Sequence, residues 1–216
     1  MRKGAIILCG GKSSRMGRDK ATLPFGRELM LQRVVRLIGN VISAENTVVV
    51  AAPDQSLPVL PQDVLVARDL QKFRGPLQGI ATGLGAVDHR LDAVYVTACD
   101  VPLLAPALVS CMFEKLGEFD IAVPFDGQRH HPLAAVYRPR VLPHIHMLLR
   151  DDRLRPVFLF DQVPTLEIPV DELRSVDPQL LSLANVNRRK DYMAALVAAG
   201  VSASPTEVCP NHPPTS

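Results

Sequence analysis

The chain has 216 residues, of which 47% are hydrophobic and 21% charged, a balance that supports a globular domain with a real core and excludes a disordered chain. A formal net charge of +2, 5% aromatic residues and no Trp argue against a nucleic-acid binder, which shows a basic excess or stacking aromatics. The apolar run after the basic N-terminus, Ala5 to Cys9, is too short for a signal peptide, and no stretch reaches membrane-spanning length, so a cytoplasmic protein is expected.

In chain order, Ala5 to Cys9 is continuously apolar and reads as a strand buried on both faces. Leu31, Val34, Val35 and Ile38 have helical spacing and predict an amphipathic helix from Glu28 to Gly39. Thr47 to Ala51 and Val64 to Ala67 read as strands, and Pro76 suits the start of a helix from Leu77 to Val87. Ala93 to Ala98 reads as another strand, and Pro106 opens a helix through Leu116. Ile121 to Val123 and Leu133 to Tyr137 read as strands joined by a turn at Asp126-Gly127. Helices are predicted from Val141 to Leu149 and from Arg188 to Ala199. Strands alternating with helices mark an α/β sheet, and residues 1–200 read as a single domain. Residues 201–216, rich in Pro, Ser and Thr, read as a disordered tail.

The strongest local signal runs from Leu8 to Lys20. Gly10 and Gly11 follow a central strand, where ligands sit in open α/β sheets, and their N–H groups can cradle phosphate oxygens. Lys12, Arg15, Arg18 and Lys20 add cations matched to a triphosphate. Gly11-Lys12-Ser13 is similar to the end of a P-loop, but Ile6 stands where that motif requires its first Gly. The GxGxxG pattern of a nicotinamide site is absent as well. The alternative is a solvated basic loop whose glycines serve only a turn. Asp100, in Cys99-Asp100-Val101-Pro102 after an apolar strand, is placed to hold Mg²⁺ against phosphates, or else to cap a turn or helix. Cys9, Cys99, Cys111 and Cys209 form no C-x-x-C pair and read as buried thiols in a reducing cytoplasm. His89, His144 and His146 are isolated, Arg150 to Arg153 reads as a charged turn, and Met16 as a packing residue.

The run Leu8-x-Gly-Gly-x-x-x-Arg-Met-Gly-x-Asp-Lys, followed by Leu23-Pro24-x-Gly26, resembles the signature of the molybdenum cofactor guanylyltransferases. Arg68-Asp69, Arg74 to Gly79, Cys99 to Pro102, Arg129-His130-His131-Pro132 and Asn185-Val186-Asn187 occur in that family's order. The chain departs from the pattern with Cys9 where Ala is usual and with Arg188-Arg189 where Thr-Pro is common.

The resemblance implies a Rossmann-like three-layer α/β/α sandwich with a mostly parallel sheet, as in nucleotide-diphospho-sugar transferases. It implies GMP transfer from GTP to a molybdopterin-type acceptor, with Mg²⁺ as cofactor. It assigns Leu8, Cys9, Gly10 and Gly11 to the nucleotide-binding backbone, Lys20 to phosphate contact and Asp100 to the metal. Arg15 would neutralise pyrophosphate, and Asp69 would read guanine N1–H and N2–H₂. Arg129, His131, Asn185 and Asn187 fall on the acceptor side. Transient contacts with molybdoenzymes or their chaperones would deliver the product. A CTP-using or sugar-phosphate enzyme and a non-catalytic nucleotide-binding subunit are the alternatives. Retention of Arg15, Lys20 and Asp100 speaks against the latter.

Overall fold

A computed structural model of the chain describes residues 1–10, 19–69, 74–87 and 90–201. Its strands β1 (Lys3–Leu8), β4 (Thr47–Ala51), β5 (Leu65–Arg68) and β6 (Ala93–Ala98) form the parallel half of one sheet, while β2 (Pro24–Phe25) and β3 (Glu28–Leu29) form a separate hairpin. Strands β7 (Ile121–Phe125), β8 (Ala135–Tyr137) and β9 (Thr165–Pro169) complete the sheet in the order β5-β4-β1-β6-β8-β7-β9. Only β8 runs against its neighbours, so β7 again points the same way as β1 and β6.

Helices cover both faces. Alternate residues of β1 separate the two cores: Ala5 and Ile7 pack with α1 (Met30–Ile38) and α3 (Pro106–Lys115). Ile6 and Leu8 pack with α2 (Gly75–Ala86), α4 (Leu142–Arg150) and α5 (Val157–Phe160). The arrangement is the three-layer α/β/α sandwich that the family resemblance implies, in agreement with the strand–helix alternation. The contact of α2 with β1 is close, because a methyl group on Gly83 would come within 2.5 Å of Ile6 Cγ2. A smaller third core joins Leu23, Phe25 and Met30 to Val186 and to Tyr192 and Leu196 of α6 (Arg189–Ala198), with Val201 against its edge. The tail from residue 202 lies outside the described residues.

Some boundaries differ from the sequence reading. The helix expected from Glu28 begins at Met30, because Glu28 pairs with Phe25 across a turn at Gly26, whose φ of 70° favours glycine. The strand expected from Leu133 begins at Ala135, after a turn in which the Ala134 N–H donates to the His131 carbonyl. Strand β9 and the short α5 have no counterpart in the sequence reading. No helix among the described residues is long and apolar enough to cross a membrane.

Candidate active site

Strands β1 and β6 end together, with Leu8 in register with Ala98 and the Cys99 N–H donating to the Leu8 carbonyl at 2.9 Å. This is where the sheet order reverses, since β4 lies on one side of β1 and β6 on the other. Parallel strands leave a crevice beyond their carboxyl ends at such a point. Asp100 stands there, mostly buried, and the Val186 N–H donates to its carbonyl at 2.8 Å.

Four charged and amide side chains meet on that staple. Lys20 Nζ donates to Asp100 Oδ2 at 2.7 Å and to Asn187 Oδ1 at 2.8 Å. Asn185 Nδ2 donates to Asp100 Oδ1 at 2.8 Å, so each carboxylate oxygen has a partner. The Lys20 and Asp100 side chains are 18% and 11% exposed, which reduces solvent screening of the pair. Asn187 is held from behind by α6: Asp191 Oδ2 accepts from the N–H groups of Asn187 at 3.1 Å and Arg188 at 2.8 Å, capping the helix start. The asparagines expected on the acceptor side thus stand directly on the Lys20–Asp100 pair.

The second group gathers around the end of β1. The Cys9 N–H donates to the Val50 carbonyl at 2.8 Å, and the thiol is pushed well above its ordinary pKa by burial and by the adjacent Cys99. Cys9 is therefore a buried packing thiol. Cys9, Cys99 and Cys111 are all free, and Cys209 lies outside the described residues. Gly10 is exposed below Asp69. A methyl on Gly10 would lie 3.5 Å from the Ala52 nitrogen and 3.8 Å from Asp69 Oδ2, both ordinary contacts. Gly10 therefore sits in ordinary contact with Ala52 and Asp69, beside the carboxyl end of β1.

Asp69 follows β5 and is anchored by its N–H to the Ala51 carbonyl at 2.9 Å. Thr82 Oγ1 of α2 donates to Asp69 Oδ1 at 2.6 Å. Burial raises the Asp69 pKa above the usual carboxylate value, and the Thr82 bond opposes the shift.

Arg129 and His131 belong to a third group, the connection between β7 and β8. Asp126 Oδ1 accepts from the N–H groups of Gln128 at 2.9 Å and Arg129 at 2.7 Å, an Asx-type turn. The Arg129 and Gln128 N–H groups hold the Asp126 carboxyl below its ordinary pKa. His131 Nε2 lies 3.3 Å from Asp126 Oδ2, and its N–H donates to the Pro124 carbonyl at 2.9 Å. Neighbouring His130 sits between the Phe125 and Phe160 rings, with Nε2 2.6 Å from Glu167 Oε1. Because β7 is parallel to β6, this connection opens on the same edge of the sheet as Asp100.

Gly11 and Arg15, like Lys12, Met16, Arg18 and His89, lie outside the described residues. His144 is half-buried and His146 exposed, each apart from these groups. The turn at Arg150 to Arg153 is more than a solvated charge run, because Arg74 Nη2 donates to the Leu149 carbonyl and to Asp152 Oδ1, at 3.0 and 3.1 Å. Thr82 and Asp191 are site residues without a motif of their own. Asp191 alone had a readable signal, an acid in the first turn of a predicted helix.

The profile of the MobA-like NTP transferase domain matches residues 5–165. A Methanosarcina mazei protein named probable molybdenum cofactor guanylyltransferase is 33% identical over 203 residues, covering 88% of each chain. Among solved structures, molybdopterin-guanine dinucleotide biosynthesis protein A from Archaeoglobus fulgidus superposes with a TM-score of 0.74 at 21% identity, over 93% of this chain and 99% of the other. The 2-C-methyl-D-erythritol 4-phosphate cytidylyltransferase of Thermus thermophilus shares the fold with a TM-score of 0.67 at 16% identity, over 93% of this chain and 100% of the other.

Proposed function

Because this chain belongs to the family of MobA-like NTP transferase domains, we propose that it transfers GMP from GTP to the terminal phosphate of molybdopterin or its molybdenum form, releasing pyrophosphate. The observation that carries the reading is the Lys20–Asp100 pair bracketed by Asn185 and Asn187 at the switch point of the sheet. The name of the Methanosarcina relative supports the choice of donor and acceptor. Residues 1–200 act as one nucleotidyltransferase domain in this reading.

An oxygen of the acceptor phosphate attacks the α-phosphorus of GTP, and the bond from that phosphorus to the α–β bridging oxygen breaks in line. The acceptor phosphate is already ionised at neutral pH, so no general base is required. Lys20 brings positive charge to the phosphoryl oxygens, and Arg15 neutralises the leaving pyrophosphate. Catalysis is then positioning and electrostatic stabilisation by groups that need not reorganise during the reaction.

Asp100 Oδ2 and Asn187 Oδ1 are hard oxygen donors that already converge on one cation, the Lys20 ammonium. Such a set suits Mg²⁺, which binds through one or two carboxylates and completes its shell with water and substrate phosphates. When bound, Mg²⁺ supplies charge neutralisation across the nucleotide and acceptor phosphates.

Leu8, Cys9, Gly10 and Gly11 border the nucleotide in this reading, and Asp69 Oδ2 would lie 3.8 Å from a methyl on Gly10. Thr82 uses one lone pair of Asp69 Oδ1, which leaves both oxygens able to accept from guanine N1–H and N2–H₂. Adenine and cytosine lack that donor pair. Arg129 and His131 meet the acceptor, and the labile product passes to a molybdoenzyme or its chaperone. The cytoplasm, which supplies GTP, is the compartment this reading requires.

The test is pyrophosphate release by purified protein with each of the four nucleoside triphosphates, with molybdopterin or a sugar phosphate as acceptor. Turnover confined to GTP and molybdopterin is expected. Equal or better turnover with CTP, or turnover only with a sugar phosphate, overturns the assignment in favour of a related transferase. No turnover with any pair would leave a nucleotide-binding subunit.

A further inference from the structure

Gln55, in the turn after β4, reaches across the same edge of the sheet. Its Nε2 donates to the Cys9 carbonyl at 3.1 Å and to Asp19 Oδ2 at 2.7 Å, while its Oε1 accepts from the Ala52 N–H at 3.0 Å. Both ends of the carboxamide are therefore used, on three separate stretches of chain. Holding a long, rotamer-rich side chain in one place costs entropy, which these bonds must outweigh.

The bonded partners give the arrangement its meaning. Cys9 and Asp19 stand at the two ends of the glycine- and cation-rich segment, and Ala52 borders Gly10. Asp19 does two jobs: Oδ2 meets Gln55, and Oδ1 accepts from the Ala21 N–H at 2.9 Å, capping the short turn Lys20–Thr22. Lys20, the next residue, projects its ammonium onto Asp100 and Asn187. The turn that carries Gln55 is anchored in its own right. Arg68 Nη1 donates to the carbonyls of Ala52 at 3.0 Å, Pro53 at 3.1 Å and Gln55 at 3.0 Å. A rigid turn, through one amide, thus ties the strand that ends before the segment to the chain that leaves it.

We infer that Gln55 is a positioning residue for nucleotidyl transfer, whose carboxamide bridges Cys9 and Asp19 and so fixes where Gly10 and Lys20 stand when phosphates bind. The inference rests on the reading of this site as a nucleotidyltransferase centre. Gln55 acts through Asp19 and Cys9, so its removal lowers kcat and GTP affinity and leaves the acceptor KM alone.

Three variants test it: Gln55→Ala, Gln55→Glu, and Gln55→Glu combined with Asp19→Asn. Gln55→Ala is expected to lower kcat between about tenfold and 10²-fold, the range for a misplaced catalytic group. Gln55→Glu sets a carboxylate against Asp19 and is expected to fall further. The double variant puts a donor on residue 19 opposite an acceptor on residue 55, and is expected to regain about fivefold over Gln55→Glu, the value of one restored hydrogen bond. Wild-type kcat and GTP affinity in Gln55→Ala would overturn the inference. So would a double variant no better than Gln55→Glu, or an activity loss that equals the unfolded fraction measured by circular dichroism at the assay temperature. If the wild-type protein turns over no substrate pair, the assigned reaction fails. GTP affinity by titration calorimetry in the same variants then decides the role of Gln55, with severalfold weakening in Gln55→Ala expected and unchanged affinity overturning it.

Discussion

The Lys20–Asp100 centre and the Asp126–His131 turn both open on the carboxyl edge of the sheet, yet they are built in opposite ways. The first joins residues 80, 85 and 167 positions apart and leaves its two charged side chains largely buried. The Asp126 carboxylate at the centre of the second is bonded two, three and five positions along the chain, with Asp126 and His131 at 36% and 26% side-chain exposure. Within that turn His130 reaches a distant partner, Glu167. A centre assembled from distant segments exists only when the whole domain is folded, and its charges are preorganised in a partly water-excluded place. A local turn forms its own bonds in high dielectric, where each is worth little. The first arrangement suits stabilisation of a transition state, and the second suits contact with one end of a substrate.

Substitutions can break this comparison. The largest effect is expected from Asp100→Ala, which removes the acceptor on which Lys20 and Asn185 meet; turnover should fall on the order of 10³-fold or more. Normal steady-state turnover by this variant with Mg²⁺ present would remove Asp100 from the centre. Lys20→Ala should cost on the order of 10²-fold in kcat, as for loss of one preorganised charge donor. Unchanged kinetics there would mean that the buried pair is structural.

Asp69 sharpens the contrast by pH. Under the proposed role of Asp69 as guanine reader, its raised pKa means that guanine would lose its ionised acceptor at a higher pH than an ordinary carboxylate would allow. GTP affinity measured by calorimetry should therefore decline earlier on acidification. The sign for folding is opposite, since the half-buried carboxylate is relieved by protonation as the pH falls. Asp69→Asn should erode the preference for GTP over ATP by about tenfold and flatten that part of the pH profile. Retained selectivity would exclude Asp69 as the base reader. The smallest effect belongs to the local turn. Arg129→Ala and His131→Ala should raise the acceptor KM about threefold to tenfold with kcat nearly unchanged, the pattern of lost uniform binding. A fall in kcat without a change in KM would place this turn in the chemistry and erase the distinction.

Much of the fold was legible in the chain because burial writes itself into sequence. Val48, Val49 and Val50 in β4 are continuously apolar, and β6 is interrupted only by buried Thr97, because helices cover both faces of the sheet. Strand β9, Thr-Leu-Glu-Ile-Pro, carries only a weak alternation, as an edge strand with one buried residue does. The reversed direction of β8 is signalled only by its short connection to β7 through Asp126-Gly127, since parallel strands need a longer crossover and side-chain alternation is the same whichever way a strand runs.

The site was legible to different depths for the same reason. Gly10 and Asp100 closely follow β1 and β6, so their place at strand ends could be read from local pattern, whereas Asp69, after the edge strand β5, could be read only through the family motif. Asn185 and Asn187 could be read only through a family motif, and Gln55 and Thr82 through nothing local, because their partners lie on other segments. From the sequence alone came the layered α/β class, the strand ends where a ligand would sit and the cations near them. Tertiary structure alone decided which distant amide meets which carboxylate, because hydrogen bonds across the crevice depend on how segments pack rather than on the order in which they are joined.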